Sequence, residues 1–188
     1  MPITTLDAKT ALIVIDLQNG ILAYPTAHPV ADVVKHSAAL AQAFRAKNLP
    51  VVLVNVTAGA PGRSDQSTTG GGRFPEGFAE ITADMNQQAS DHVVTKETWG
   101  AFTRTDLDAY LKQHGVTQVV VTGVATSIGV ESTARQAHEL GYNVTLAVDA
   151  MTDMNADAHA NSVTRIFPRL GETGTTQQII DQLGQARS

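Results

Sequence analysis

The sequence predicts a single α/β domain, spanning residues 1–188, in which helices cover both faces of a mostly parallel β-sheet. The first observation is that short, continuously apolar runs alternate with amphipathic stretches, as strands buried on both faces do when helices join them. The second is the length of 188 residues, which suits one domain with one core. The third is the composition, since 43% hydrophobic and 16% charged residues are typical of a globular chain.

Five apolar runs predict the buried strands of this sheet. They cover residues 11–16, 50–56, 92–96, 116–123 and 142–150. The first run, ALIVID, is expected to form the central strand, and it ends in the carboxylate of Asp16.

Apolar residues at helical spacing predict helices between and after these strands. They cover approximately residues 30–48, 107–115, 128–140, 156–167 and 176–183. Gly115 and Gly141 are typical helix stops, and Pro168 is expected to break the helix before it. The stretch 57–77 is rich in Gly, Ser, Thr and Pro without an apolar period, which indicates either a lid or a floppy loop.

Charge and composition exclude several classes of function. The net charge of −5, with no basic block, argues against a nucleic-acid partner. No apolar run approaches the roughly 18 residues that span a bilayer, and the N-terminus does not resemble a signal peptide, so we expect no membrane partner and a cytoplasmic location. The sequence contains no cysteine, which excludes disulfides, thiolate metal sites and a thiol nucleophile.

Two charged residues stand at the ends of predicted strands. Asp16 ends the first strand and Lys96 ends the third. Because the carboxyl ends of parallel strands meet at one edge of the sheet, we expect an ion pair between them. The ammonium would keep the acid ionised, whereas burial would favour its protonated form, and the sequence leaves this balance open.

Other polar residues carry weaker signals. The six histidines show neither H-x-H nor H-x-x-x-H spacing, so we interpret them as surface or capping residues. Thr126, Ser127 and Ser132 follow the fourth strand, where a hydroxyl either acts as a nucleophile or caps a helix. No G-x-S-x-G motif surrounds them, which favours capping. Trp99 and Phe102 follow Lys96 and belong either to the core or to the wall of a pocket.

Two stretches of the chain closely resemble the isochorismatase-like hydrolase superfamily, also called the cysteine hydrolases. They are ALIVIDLQNG and TKETWGAFTRTDLDAYLKQHGVTQVVVTGVATSIGVESTARQAHELGYNVTLAVDA, and the resemblance covers roughly residues 9–155. Its motifs are the strand-end Asp, the Lys before an aromatic-x-A-F segment, and the G-V-x-x-x-I-x-V turn.

The resemblance implies a Rossmann-like fold and hydrolysis of small molecules. Most members use an Asp–Lys–Cys triad, in which Asp16 and Lys96 match the first two positions and Gly129 matches the cysteine. It also implies a cis peptide bond before Ala125, with backbone N–H groups near Ala125 and Gly129 that bind an oxyanion. We assign Trp99 to substrate binding.

Phe102 is assigned to substrate binding as well. The nicotinamidase branch carries a metal-binding Asp/His set after the second strand, where this chain reads NVTAGAPGRSD without histidine. We therefore predict no metal and no other cofactor.

The branch named for isochorismatase is similar at the turn, with Gly in place of Cys, and it cleaves a vinyl ether without a covalent intermediate. By this resemblance Asp16 would protonate the enol carbon. Lys96 would orient Asp16 or hold negative charge on the substrate, and Gly129 would leave room for a bulky substrate.

Two alternatives remain open. One is a C–N amidohydrolase whose catalytic cysteine has been replaced by Gly129, which the VIDLQNG motif of the first strand favours. The other is a pseudoenzyme that binds a metabolite or a partner chain. In every case we expect a small-molecule ligand and association of the chain with copies of itself.

Overall fold

The computed structural model describes residues 3–65 and 71–185, whose strands form one six-stranded sheet. Along the sheet the order is β3-β2-β1-β4-β5-β6, and every neighbouring pair is parallel. The strands are β1 (Thr10–Ile15), β2 (Val51–Val56), β3 (His92–Lys96), β4 (Gln118–Val124), β5 (Asn143–Thr152) and β6 (Glu172–Gly174). The parallel α/β fold is confirmed, and β1 lies in the interior of the sheet as predicted.

Helices cover both faces of the sheet. They are α1 (Asn19–Leu22), α2 (Val30–Ala46), α3 (Leu107–Gln113), α4 (Glu131–Glu139), α5 (Ala156–Asn161), α6 (Phe167–Leu170) and α7 (Thr176–Gln185). The buried apolar residues of α3, α4 and α6 pack on one face, and those of α2 and α7 pack on the other.

Alternation along β1 shows how the two faces divide the core. Ile13 and Ile15 join the cluster under α3, α4 and α6, whereas Leu12 and Val14 join the cluster under α2 and α7. Because successive side chains of a strand point to opposite faces, a strand covered on both sides must be apolar throughout. This is why ALIVID reads as one continuous apolar run.

Three features differ from the predicted elements. The short strand β6 and the single helical turn α1 were not predicted, because neither carries an apolar run or a long apolar period. Pro168 does not end the helical region, contrary to the prediction. A π-helical segment, Ser162–Ile166, precedes α6, and Pro168 lies in the first turn of α6, where its missing N–H is tolerated.

The stretch 57–77, predicted as a lid or a floppy loop, is paired in the parts that the structure describes. Ala58 and Arg73 form an antiparallel bridge, and the Gly71 N–H donates to the Ala60 carbonyl at 2.9 Å. Residues 66–70 of this stretch lie outside the described residues. In the described ranges, no helix is long and apolar enough to cross a membrane.

Candidate active site

An ion pair between the ends of two strands lies at the carboxyl edge of the sheet. Asp16 follows β1 with a left-handed backbone conformation, φ 51°, and Lys96 is the last residue of β3. The Lys96 Nζ donates to Asp16 Oδ2 at 2.7 Å and to the Thr98 carbonyl at 3.1 Å. The predicted ion pair is therefore present, and both residues are buried, with exposed fractions of 5% for Asp16 and 2% for Lys96.

Burial and Lys96 shift the pKa of the Asp16 carboxyl in opposite directions. Removal from water raises the pKa of the Asp16 carboxyl from 3.8 to about 6, although the charge and the hydrogen bond of Lys96 lower it. Within the described structure, Asp16 Oδ1 is buried without a hydrogen-bond partner, whereas Oδ2 is bound by the ammonium. Desolvation therefore outweighs Lys96 in the direction of the pKa shift, although a carboxyl with this pKa is still mostly ionised at pH 7.

Gly129 lies against this carboxylate. A Cβ atom built on Gly129 would stand 3.2 Å from Asp16 Oδ2, 2.9 Å from Ile15 Cγ2 and 3.6 Å from the Trp99 carbonyl oxygen. The structure therefore brings Asp16, Lys96 and Gly129 together at one place; the first two were expected to meet because they end parallel strands, and Gly129 was expected there because of the family resemblance.

The turn that carries Gly129 is a π-helical segment, Thr126–Val130, between β4 and α4. The peptide bond between Val124 and Ala125 is cis, as the family resemblance implies. The Ala125 carbonyl accepts hydrogen bonds from Ile128 N–H and Val130 N–H, both at 3.1 Å. The orientation of the N–H groups of Ala125 and Gly129 toward a substrate stays a prediction.

A glycine in β4 allows this turn to approach β1 closely. Gly123 pairs with Ile15 and has a φ of 116°, a conformation that side chains with a Cβ rarely adopt. A Cβ on Gly123 would overlap the backbone of Ile15, including its carbonyl oxygen. The close packing of the turn against Asp16 therefore depends on glycine at this position.

The two aromatic residues assigned to substrate binding lie in different surroundings. The Trp99 side chain is exposed, with an accessible fraction of 59%, and its carbonyl faces Gly129. Phe102 packs against the core under α3 and α4 and stacks on Tyr142 with ring centroids 6.0 Å apart. Of the two, Trp99 is the more exposed, whereas Phe102 is partly buried.

The hydroxyl residues of the turn are held by residues that sequence reasoning missed. Thr126 Oγ1 lies 2.8 Å from His159 Nδ1, and both the N–H and the hydroxyl of Ser127 donate to Asp153 Oδ2 at 2.8 Å. Asp153 is buried just beyond β5, and burial together with His28 lowers the pKa of His159. No local motif indicates these contacts, because the partners lie 26 to 33 residues apart in the sequence.

A metal centre was not predicted from the sequence. In the ranges that the structure describes, no three His, Asp or Glu side chains are grouped so as to hold a metal ion. The absence of a cofactor stays a prediction.

Comparisons with known proteins identify the class. The isochorismatase domain model matches residues 10–178. The uncharacterized isochorismatase family protein YwoC of Bacillus subtilis is 38% identical over 181 residues, covering 93% of this chain and 94% of that protein. The uncharacterized isochorismatase family protein YecD of Escherichia coli O157:H7 is 39% identical over 185 residues, covering 95% and 98%.

The fold agrees with a solved relative. The structure of an isochorismatase family protein from Burkholderia thailandensis superposes with a TM-score of 0.89 at 39% identity, covering 96% of this chain and 98% of that one. The chain belongs to the isochorismatase family.

Proposed function

We propose that this chain hydrolyses a small anionic enol ether by acid catalysis, without a covalent intermediate. The observation that carries the proposal is the Asp16 carboxyl: one oxygen is held by Lys96, the other is unpartnered among the described residues, and Gly129 beside it offers no nucleophilic atom. Such a site can supply a proton, but it cannot form a bond from residue 129.

The geometry favours one position for the acidic proton. Asp16 Oδ2 accepts a hydrogen bond from the Lys96 ammonium at 2.7 Å, so a proton on the carboxyl belongs on Oδ1. A pKa raised to about 6 keeps a useful fraction of Asp16 protonated near neutral pH. Oδ1 is thus the atom that would transfer the proton to a substrate carbon.

The proposed reaction proceeds in balanced steps. Asp16 donates its proton to the terminal enol carbon, which leaves an oxocarbenium ion on the substrate and a carboxylate paired with Lys96. Water adds to the oxocarbenium carbon and releases a proton, which restores the acid form of Asp16. The resulting hemiketal separates into a ketone and an alcohol, and no group of the chain is consumed.

The neighbouring residues have supporting roles in this proposal. Lys96 stabilises the carboxylate that forms after proton transfer, and glycine at position 129 avoids the crowding of Ile15 and Asp16 that a side chain would cause there. The indole of Trp99 covers the substrate, the backbone of Ala125 contributes to the substrate-binding turn, and Phe102 supports this wall from the core side.

The test is pyruvate release from isochorismate, measured beside ammonia release from a panel of amides. We expect pyruvate from the unaltered chain and a loss of about 10²-fold or more in Asp16→Asn, the usual contribution of a positioned acid. Ammonia release that appears only in Gly129→Cys would instead support the amidohydrolase alternative. Saturable binding of isochorismate without turnover would support the pseudoenzyme alternative.

A further inference from the structure

A circuit of contacts begins and ends beside the Asp16 carboxylate. It runs from Asp16 to the Lys96 ammonium at 2.7 Å, and from Lys96 to the Thr98 carbonyl at 3.1 Å. It then follows the chain to Ala101, whose N–H donates to Thr133 Oγ1 at 3.1 Å. Thr133 in turn donates to the Gly129 carbonyl at 2.7 Å, and the circuit returns to Asp16 because a Cβ on Gly129 would stand 3.2 Å from Asp16 Oδ2.

Thr133 is the member of this circuit that joins two segments of the site. It lies in the first turn of α4 with no exposed surface. Its bond to the carbonyl four residues earlier is common for threonine in helices. Its acceptance of the Ala101 N–H is different, since Ala101 belongs to the segment 97–101 that follows Lys96 in the chain.

The segment 97–101 affects the site at two points. Its Thr98 carbonyl holds the Lys96 ammonium beside Asp16, and its Trp99 carbonyl lies 3.6 Å from the position of a Cβ on Gly129. The Thr98 hydroxyl turns inward to donate to the Gly100 carbonyl at 3.2 Å, so this segment bonds within itself as well as to Thr133. Moving Ala101 away from α4 would therefore displace both the lysine and the indole.

We propose that Thr133 is a positioning residue, which fixes the segment 97–101 against Gly129 and thereby sets the geometry of the Lys96–Asp16 pair. The proposal rests on the proposed function, because it assigns Thr133 to the same site. Thr133 does not touch the reacting atoms, so its effect passes through Ala101, Thr98 and Lys96.

The test compares Thr133→Val with Thr133→Ser. Valine keeps the shape but loses the hydroxyl, whereas serine keeps both hydrogen bonds. We expect kcat to fall about tenfold or more in Thr133→Val, since small misplacements of reacting groups cost up to about 10²-fold. Thr133→Ser should stay close to the unaltered chain.

Thr145→Val is the matched control. Thr145 is also fully buried, and its hydroxyl accepts a single bond from Gln118 Nε2 at 2.9 Å in the amino-terminal half of β5, away from the carboxyl edge of the sheet. Equal losses of kcat in Thr133→Val and Thr145→Val would overturn the proposal, because they would indicate general loosening. If Thr133→Val does not fold, Thr133→Ala removes the same hydroxyl without placing a methyl group against the Ala101 N–H.

A readout independent of turnover separates this proposal from the proposed function. The ¹³C chemical shift of the Asp16 carboxyl, followed against pH, reports its pKa directly. Because Lys96 lowers that pKa, loosening Lys96 should move it above about 6 in Thr133→Val and leave it in place in Thr133→Ser. An unchanged titration in folded Thr133→Val would overturn the positioning role. The upward shift without any enol-ether hydrolysis would support Thr133 and refute the proposed function.

Discussion

The sign of the pH dependence separates an acid role of Asp16 from a base role. With a pKa of about 6, the carboxyl is about nine-tenths protonated at pH 5 and about one-tenth protonated at pH 7. If Asp16 donates a proton to the substrate, kcat/KM should fall about tenfold between these two pH values. If Asp16 acts as the base for a nucleophile, kcat/KM should rise by the same factor.

The assay is initial-rate hydrolysis across this range, because kcat/KM reports the pKa values of the free enzyme. Asp16→Asn provides the control, because the change of kcat/KM with pH that is assigned to Asp16 must disappear in that variant. A rise of kcat/KM from pH 5 to pH 7 would refute the acid mechanism. A profile without an inflection near pH 6 would refute the assignment of the proton to Asp16.

Unfolding of the chain would not produce the same dependence of kcat/KM on pH. Because the pKa of Asp16 in the folded chain lies above its ordinary value of 3.8, the folded chain binds more protons than the unfolded chain between pH 3.8 and about 6. The contribution of Asp16 to the free energy of unfolding therefore falls as the pH rises through that window and levels off about one pH unit above it. The expected loss of kcat/KM instead becomes steeper above pH 6, where this contribution levels off.

Three substitutions test the surroundings of the carboxylate. Gly129→Ala should reduce but keep hydrolysis, because the new methyl group would stand 2.9 Å from Ile15 Cγ2 and 3.2 Å from Asp16 Oδ2, and such crowding costs about 1–3 kcal/mol. Complete loss of hydrolysis would contradict the proposal that residue 129 takes no part in the chemistry. Trp99→Ala should raise KM with little change in kcat, because it removes the proposed contact between the exposed indole and the substrate. An unchanged KM would refute the assignment of Trp99 to substrate binding. Gly123→Ala should lower the free energy of unfolding by about 1–3 kcal/mol or more, because of the φ of 116° and the contact with the Ile15 backbone. The measurement is a denaturant titration, and an unchanged midpoint would contradict the close approach of β4 to β1.

The interior of the sheet could be predicted because β1, β2 and β4 are buried on both faces. Each residue of β1 is buried, so the strand reads as an apolar run with no interruption. The strand β6 escaped prediction for the opposite reason. It has only three residues, Glu172–Gly174, two of them partly exposed, and such a segment has no hydrophobic signature.

The paired charges of the site could also be predicted, because topology alone brings strand ends together. What could not be predicted is contact between polar side chains on helices and loops. Thr133 and Ala101 are 32 residues apart, and neither residue type signals the other. The protonation of Asp16 was beyond the sequence as well, because it depends on how completely water is excluded from one carboxyl.

The lysine beside the acid fits the proposed mechanism once burial is known. Burial alone would raise the pKa of Asp16 further, which would make it a weaker acid and slow proton transfer to carbon. Lys96 opposes this and leaves the pKa at about 6, so that about half of the acid is protonated at pH 6 and its proton is still readily given up. The same ammonium then faces the carboxylate that proton transfer creates. Lys96 is thus not in conflict with acid catalysis, because in this site it offsets the desolvation that would otherwise hold the proton on Asp16.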